Sequence, residues 1–163
     1  MVALRFASLL LLYTPFALAS KLPCPPNSTL PSLTTWAQNG LAGIVKATSA
    51  SALETAFDVW LSQDVNITLN GNSLARAALF ANRVNQGFDP AAKLSFIHTV
   101  EVPTVANSSE TGEVSLSFNA TIGKNTITGV INLVIVQDTS LSPPPADLRR
   151  TMNFNEIVTG IAH

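Results

Sequence analysis

Hydrophobic positions in the first half of the chain recur at helical spacing, and in the second half they alternate. Leu33, Trp36, Ala37, Leu41, Ile44 and Val45 mark one helix, with Gly40 and Gly43 either weakening it or allowing close packing. Leu53, Ala56, Phe57, Trp60 and Leu61 mark a second, predicted over about Ala52 to Gln63 and opened by a Ser51/Glu54 capping box. Val65, Ile67 and Leu69 alternate with Asn66, Thr68 and Asn70 in a short half-buried strand, and Asn70-Gly71 supplies a turn. A third helix follows, capped by Asn72 or Ser73. It carries Leu74, Ala77, Ala78, Ala81 and Val84 inward and stops at Gly87.

Four strand patterns come next. Leu94, Phe96, His98, Val100 and Val102 share one face of the first, which Pro103 ends. Val114, Leu116, Phe118, Ala120 and Ile122 share one face of the second, with polar residues opposite. Gly123-Lys124-Asn125 makes a tight turn. The third, Thr126 to Gln137, is apolar on both sides: Ile127, Ile131, Leu133 and Ile135 against Val130, Val134 and Val136. Both of its faces therefore need cover. After a loop holding Pro143, Pro144 and Pro145, the last strand runs from Arg149 to Ile161 with Met152, Phe154, Glu156 and Val158 on one face.

The run of helix, LSQDVNITLNG, then a helix bearing alanines and arginines resembles the nuclear transport factor 2-like superfamily in its SnoaL-like branch. It is similar in particular to small secreted fungal proteins of that type. The similarity spans Leu33 to the C-terminus, and its local motif is a short helix followed by L-S-x-D-V-x-x-x-x-N-G. The resemblance implies an α+β cone: three N-terminal helices packed on a strongly curved antiparallel sheet, with a cavity between them. It also implies a reason for the two-sided third strand, because many members dimerise through the outer face of this sheet. The alternative is that the N-terminal segment folds back over that face.

Residues 1–19 read as a signal peptide. Arg5 is the positive start, an apolar run begins at Phe6, and Ala17-Leu18-Ala19 is the cleavage site. Pro15 leaves the run too short to span a bilayer. An extended segment, 20–32, holds four prolines, and 33–163 is one domain. The expected location is extracellular, with no membrane association after cleavage. Removing Arg5 leaves eight basic residues against ten acidic ones, with no basic run, which argues against nucleic acid as a partner. Charged residues are only 12% of the chain, and glycans at the sequons Asn27, Asn66, Asn107 and Asn119 offer an alternative source of solubility. The one cysteine, Cys24, stands among prolines and excludes an intramolecular disulfide. Nothing near it in the sequence offers a base to activate it.

Two polar residues interrupt apolar strand faces, His98 and Glu156. In a shared dry cavity a histidine and a carboxylate make a proton-transfer pair, each tuning the other's pKa. The competing reading makes each a satisfied core polar group, or pairs Glu156 with Arg149 or Arg150. Asp64 stands where the family motif has an aspartate and reads as a turn cap. Arg76 and Arg83 read as solvated. Tyr13, the only tyrosine, falls in the signal peptide, so the phenol of the family's isomerase and dehydratase patterns is missing. Closely spaced metal ligands, phosphate loops and nucleophile elbows are absent, and no cofactor is expected. The sequence thus points first to a cavity lined by Phe57, Trp60, Phe80, Phe96, Phe118 and Phe154 that binds a small apolar molecule. A lyase or isomerase using His98 and Glu156 in the same cavity, and a non-catalytic structural extracellular protein, are the alternatives.

Overall fold

A computed structural model describes residues 30–105, 109–141 and 145–159. The signal peptide, Cys24, Asn27, Asn107, Pro143 and Pro144 lie outside the described residues. Three helices, α1 (Leu33–Val45), α2 (Ala50–Trp60) and α3 (Arg76–Asn85), pack on one face of a six-stranded sheet. The strands are β1 (Leu61–Leu69), β2 (Asn72–Leu74), β3 (Lys93–Pro103), β4 (Gly112–Ile122), β5 (Asn125–Gln137) and β6 (Arg149–Thr159). Their order is β2-β1-β6-β5-β4-β3. The expected sheet was antiparallel; the β1–β6 pair is parallel, so the sheet is mixed. None of the described helices is long and apolar enough to cross a membrane.

Side-chain oxygens open the first two helices. Ser32 accepts from the Thr35 N–H at 3.1 Å. Ser49, not the predicted Ser51, accepts from the Ala52 N–H at 3.1 Å, which moves the start of α2 back to Ala50. The far end of α2 also comes early. Leu61 is already extended, so β1 begins there and absorbs the last predicted helical residues. The chain then turns at Asn70-Gly71, both at positive φ (49° and 79°). This turn is a hairpin: Asn72 and Ser73 pair back onto Leu69 and Thr68 as β2 and cap nothing. The Asn70 side chain also accepts from the Val158 N–H at 2.8 Å, which ties the turn to β6.

α3 turns a different face inward from the one its alanines suggested. Leu79 is its buried residue, and Arg76, Phe80, Arg83 and Val84 are half-buried, while Ala77 and Ala81 are exposed. Bulk decides this. Leu79 and Phe80 remove more apolar area from water than two alanines do, and they bring Arg76 and Arg83 inward at helical spacing.

β3 holds the main correction. Phe96 stands opposite Phe118, but His98, not Ile97, stands opposite Ser117, so Ile97 is the extra residue of a bulge. Before it, Leu94 and Phe96 face the helices. After it, Thr99 and Glu101 do, and His98, Val100 and Val102 face outward. Glu101 uses its inward position to accept from the Thr34 N–H of α1 at 2.9 Å. β6 has its own irregularity: Thr151 and Asn153 take successive partners on β5, leaving Met152 over. Beyond it Phe154, Glu156 and Val158 share the inner face as predicted.

Candidate functional site

A cavity of about 330 Å³ lies between the helices and the inner face of the sheet. Its floor is aromatic. Trp60 meets Phe154 edge to face at 5.8 Å, and Phe57 and Phe118 complete the buried surface. Two glycines make room for these rings. A Cβ at Gly40 would lie 2.1 Å from Trp60 Cδ1, so α1 and the indole can approach as they do only with glycine there. A Cβ at Gly129 would lie 2.7 Å from Phe118 Cζ. Leu41, Ile44, Val45, Leu69, Leu79 and Ala120 supply the walls.

Of the six aromatic residues predicted to line the cavity, Phe57, Trp60, Phe118 and Phe154 do so. Phe80 sits behind Phe57, ring centroids 5.5 Å apart and perpendicular. Phe96 packs half-buried against the core without reaching the cavity.

The polar side chains of the cavity gather at one end. Asn82, Asn85 and Gln86, all exposed, stand at the C-terminal end of α3 and form the rim. Arg83 points inward among them, and Glu156 faces it from β6. Glu156 pairs in register with Leu69 of β1 on one side and Ile131 of β5 on the other. Flanked by apolar side chains, its carboxyl is pushed up from 4.5 to about 7 by burial, against the opposing pull of the Arg83 guanidinium. Burial in turn lowers the pKa of Arg83, with Glu156 opposing. Arg83 Nη2 donates to the Ile44 carbonyl at 3.3 Å, and Nη1 donates to Gln86 Oε1. It thereby straps α3 to the last turn of α1, where a cation is favoured by the helix dipole.

The predicted His98–Glu156 pair does not form. His98 is exposed on the outer face of the sheet, because the Ile97 bulge lies between it and the inward-facing Phe96. Neither Arg149 nor Arg150 takes its place beside Glu156. Arg149 is buried between Asp147 (2.6 Å), the Pro31 and Ser109 carbonyls and the Trp36 ring (5.4 Å). Asp64 is exposed, and the short link at its position runs from its own N–H to Ser62 Oγ at 3.3 Å. Arg83 is the residue that sequence reasoning missed. Placing Leu79 and Phe80 inward by size would have found it, since residue 83 lies one turn from both.

Asn66 is exposed on β1, and Asn119 accepts from Thr128 Oγ1 at 2.7 Å on the outer face. Asn132, Asn153 and Asn155 also lie on that outer face, beside Val100, Val102 and Val134. No group of acidic, histidine or cysteine residues among those described could hold a metal ion.

No protein-family model matches the chain, and no curated protein does. Solved structures do match it in shape. One is an NTF-2 like protein of unknown function from Pseudomonas aeruginosa, 12% identical, covering 78% of this chain and 95% of that one, with a TM-score of 0.55. Another is Mtr2 of Candida albicans, 10% identical, covering 80% and 96%, with a TM-score of 0.56. A third is a candidate ketosteroid isomerase from Parabacteroides distasonis, 11% identical, covering 78% and 85%, with a TM-score of 0.53. At these identities the likeness is one of architecture. The chain has the nuclear transport factor 2-like fold, three helices over a six-stranded mixed sheet, with a cavity between the two layers.

Proposed function

We propose that this is a secreted protein that binds a small, largely apolar molecule in the cavity. The observation that carries the reading is the segregation of the lining: an aromatic floor, with every polar side chain at the rim or facing it. About 330 Å³ lies at the small end of ligand sites and suits a molecule of roughly ten non-hydrogen atoms, taking ~30 Å³ for each. The test is titration with 1-decanol followed by Trp60 fluorescence and calorimetry. Saturable one-to-one binding is expected. Ala120→Phe, which puts a ring into the cavity, should abolish binding while circular dichroism stays unchanged. Undiminished binding by that variant would remove the cavity from the account.

A second reading is favoured by Glu156 alone. A carboxyl at about 7 in an apolar pocket is poised as a general base for a proton next to a carbonyl, with Arg83 beside it to stabilise the developing oxyanion. Deuterium exchange at the α-carbon of a small cyclic ketone, lost in Glu156→Gln, is the expected signature. Exchange no faster than with free acetate would eliminate it. The outer face suggests a homodimer, because Val130 and its neighbour Ile157 are exposed there beside Val100 and Val102. Sedimentation of the wild type against Val130→Lys tests that.

A further inference from the structure

The cavity mouth holds a cation whose acidic neighbour, Glu156, forms no short ion pair with it. The ion pairs within 4.0 Å among the described residues are Arg76–Asp58 and Arg149–Asp147, and Arg83 belongs to neither. Its hydrogen bonds go to two neutral acceptors, the Ile44 carbonyl and Gln86. A half-buried guanidinium in that state keeps unspent attraction for an anion. Glu156 is the acidic residue of the lining, and its surroundings favour the protonated form. Leu69 of β1 and Ile131 of β5 flank it in register, and the α2 residues that share the cavity with it, Phe57 and Trp60, are apolar. Arg83 is the charged group that α3 presents to it.

The strand direction fixes where these groups lie relative to the floor. Along the inner face of β6, Phe154 is buried at the floor, and Glu156 is one step nearer the rim. A ligand with its apolar part on Trp60 and Phe154 therefore presents its other end between Arg83 and Glu156.

We propose that the cavity takes an apolar molecule bearing one terminal carboxylate, whose head group pairs with Arg83 and accepts a hydrogen bond from the carboxyl of Glu156. This rests on the reading of the cavity as a binding site and names the ligand class. A protonated carboxyl beside a carboxylate shares its proton in a hydrogen bond, so two acidic groups coexist there without like-charge repulsion. Binding at alkaline pH then draws a proton from solvent onto Glu156, one per ligand. No bond is made or broken other than that proton's.

Decanoic acid and 1-decanol share an apolar chain and differ in the head group, and calorimetry with the two is the test. At pH 6 decanoate should bind ~10- to 100-fold tighter than the alcohol, the range of a charge-assisted hydrogen bond. At pH 8, titrations in phosphate and Tris, which differ in ionisation enthalpy, should show uptake of close to one proton per decanoate and none per decanol. Arg83→Gln should erase the preference for decanoate over decanol, and Arg83→Lys should retain part of it. Decanol binding as tightly as decanoate, or decanoate binding without proton uptake, overturns the carboxylate assignment and leaves the binding reading standing. Failure of both compounds overturns the two together. The proton count is taken on the wild type, so it decides the matter even if Arg83→Gln does not fold.

Discussion

His98 and Glu156 occupy the same kind of position in the sequence, one polar residue in an otherwise apolar strand face, yet only Glu156 reaches the cavity. Both strands carry an irregularity. In β6 it falls at Met152, before Phe154, so the run from Phe154 to Glu156 is unbroken. In β3 it falls at Ile97, between Phe96 and His98. A bulge inverts the side of every residue beyond it. Reading a face from an apolar anchor therefore succeeds only when anchor and candidate lie on the same side of the bulge. The consequence for chemistry is large: the cavity is left with a carboxyl and a guanidinium instead of a histidine–carboxylate pair.

The strongest way to break this contrast is to shift the strand beyond the bulge by one residue. Deletion of Ile97 would not do so, because His98 stays opposite Ser117 and Thr99 opposite Leu116 without it. Insertion of one alanine between His98 and Thr99 exchanges the faces beyond it, turning Val100 and Val102 inward and expelling Thr99 and Glu101. A loss above about 4 kcal/mol is expected, beyond the ordinary range for a single change, and urea denaturation measures it. A variant that unfolds with wild-type cooperativity and midpoint would show that the residue count past the bulge does not set the face.

Next in size is the pH response of Glu156. Between 4.5 and about 7 the folded protein holds a proton that the unfolded chain releases, so stability falls as pH rises across that window and levels off above it. The total is at most about 3 kcal/mol, less where water in the cavity screens the charge. Glu156→Gln should flatten this profile and be the more stable protein at pH 8. Identical profiles for the two proteins would place the titration elsewhere.

Glu101 sharpens the comparison from the other side of the bulge. Glu101→Ala removes the acceptor for the Thr34 N–H at the start of α1, with an expected cost of about 1 kcal/mol in thermal or urea unfolding. His98→Ala is the smallest effect. On an exposed outer-face position it should change stability by less than about 0.5 kcal/mol and leave decanol binding untouched. A large loss from His98→Ala would mean that the histidine lies inside after all.

Much of the architecture was legible in the chain. The three helices, the alternation of β4, the Asn70-Gly71 turn and the inward face of β6 around Phe154 follow from short-range pattern, because period and turn chemistry act within a few residues. Four of the predicted cavity residues, Phe57, Trp60, Phe118 and Phe154, were visible as large apolar side chains on those faces. Other features were not. Asn72 and Ser73 read as helix caps because nothing local announces that they pair back onto β1. Arg83 read as solvated because the face of α3 was assigned by counting alanines, whereas the burial of Leu79 and Phe80 sets it.

What the sequence by itself determined is the kind of each long element and the inward face of β6 that carries Glu156 beside Phe154. Backbone period and side-chain size suffice for both. Tertiary structure alone decided which polar groups meet. The parallel β1–β6 pairing places Leu69 against Glu156, the packing of α3 brings Arg83 over it, and the Ile97 bulge turns His98 away. Each of these depends on which residue of a distant strand or helix lies opposite. Local pattern carries no record of that choice, since a shift of one residue satisfies the same alternation with the faces exchanged.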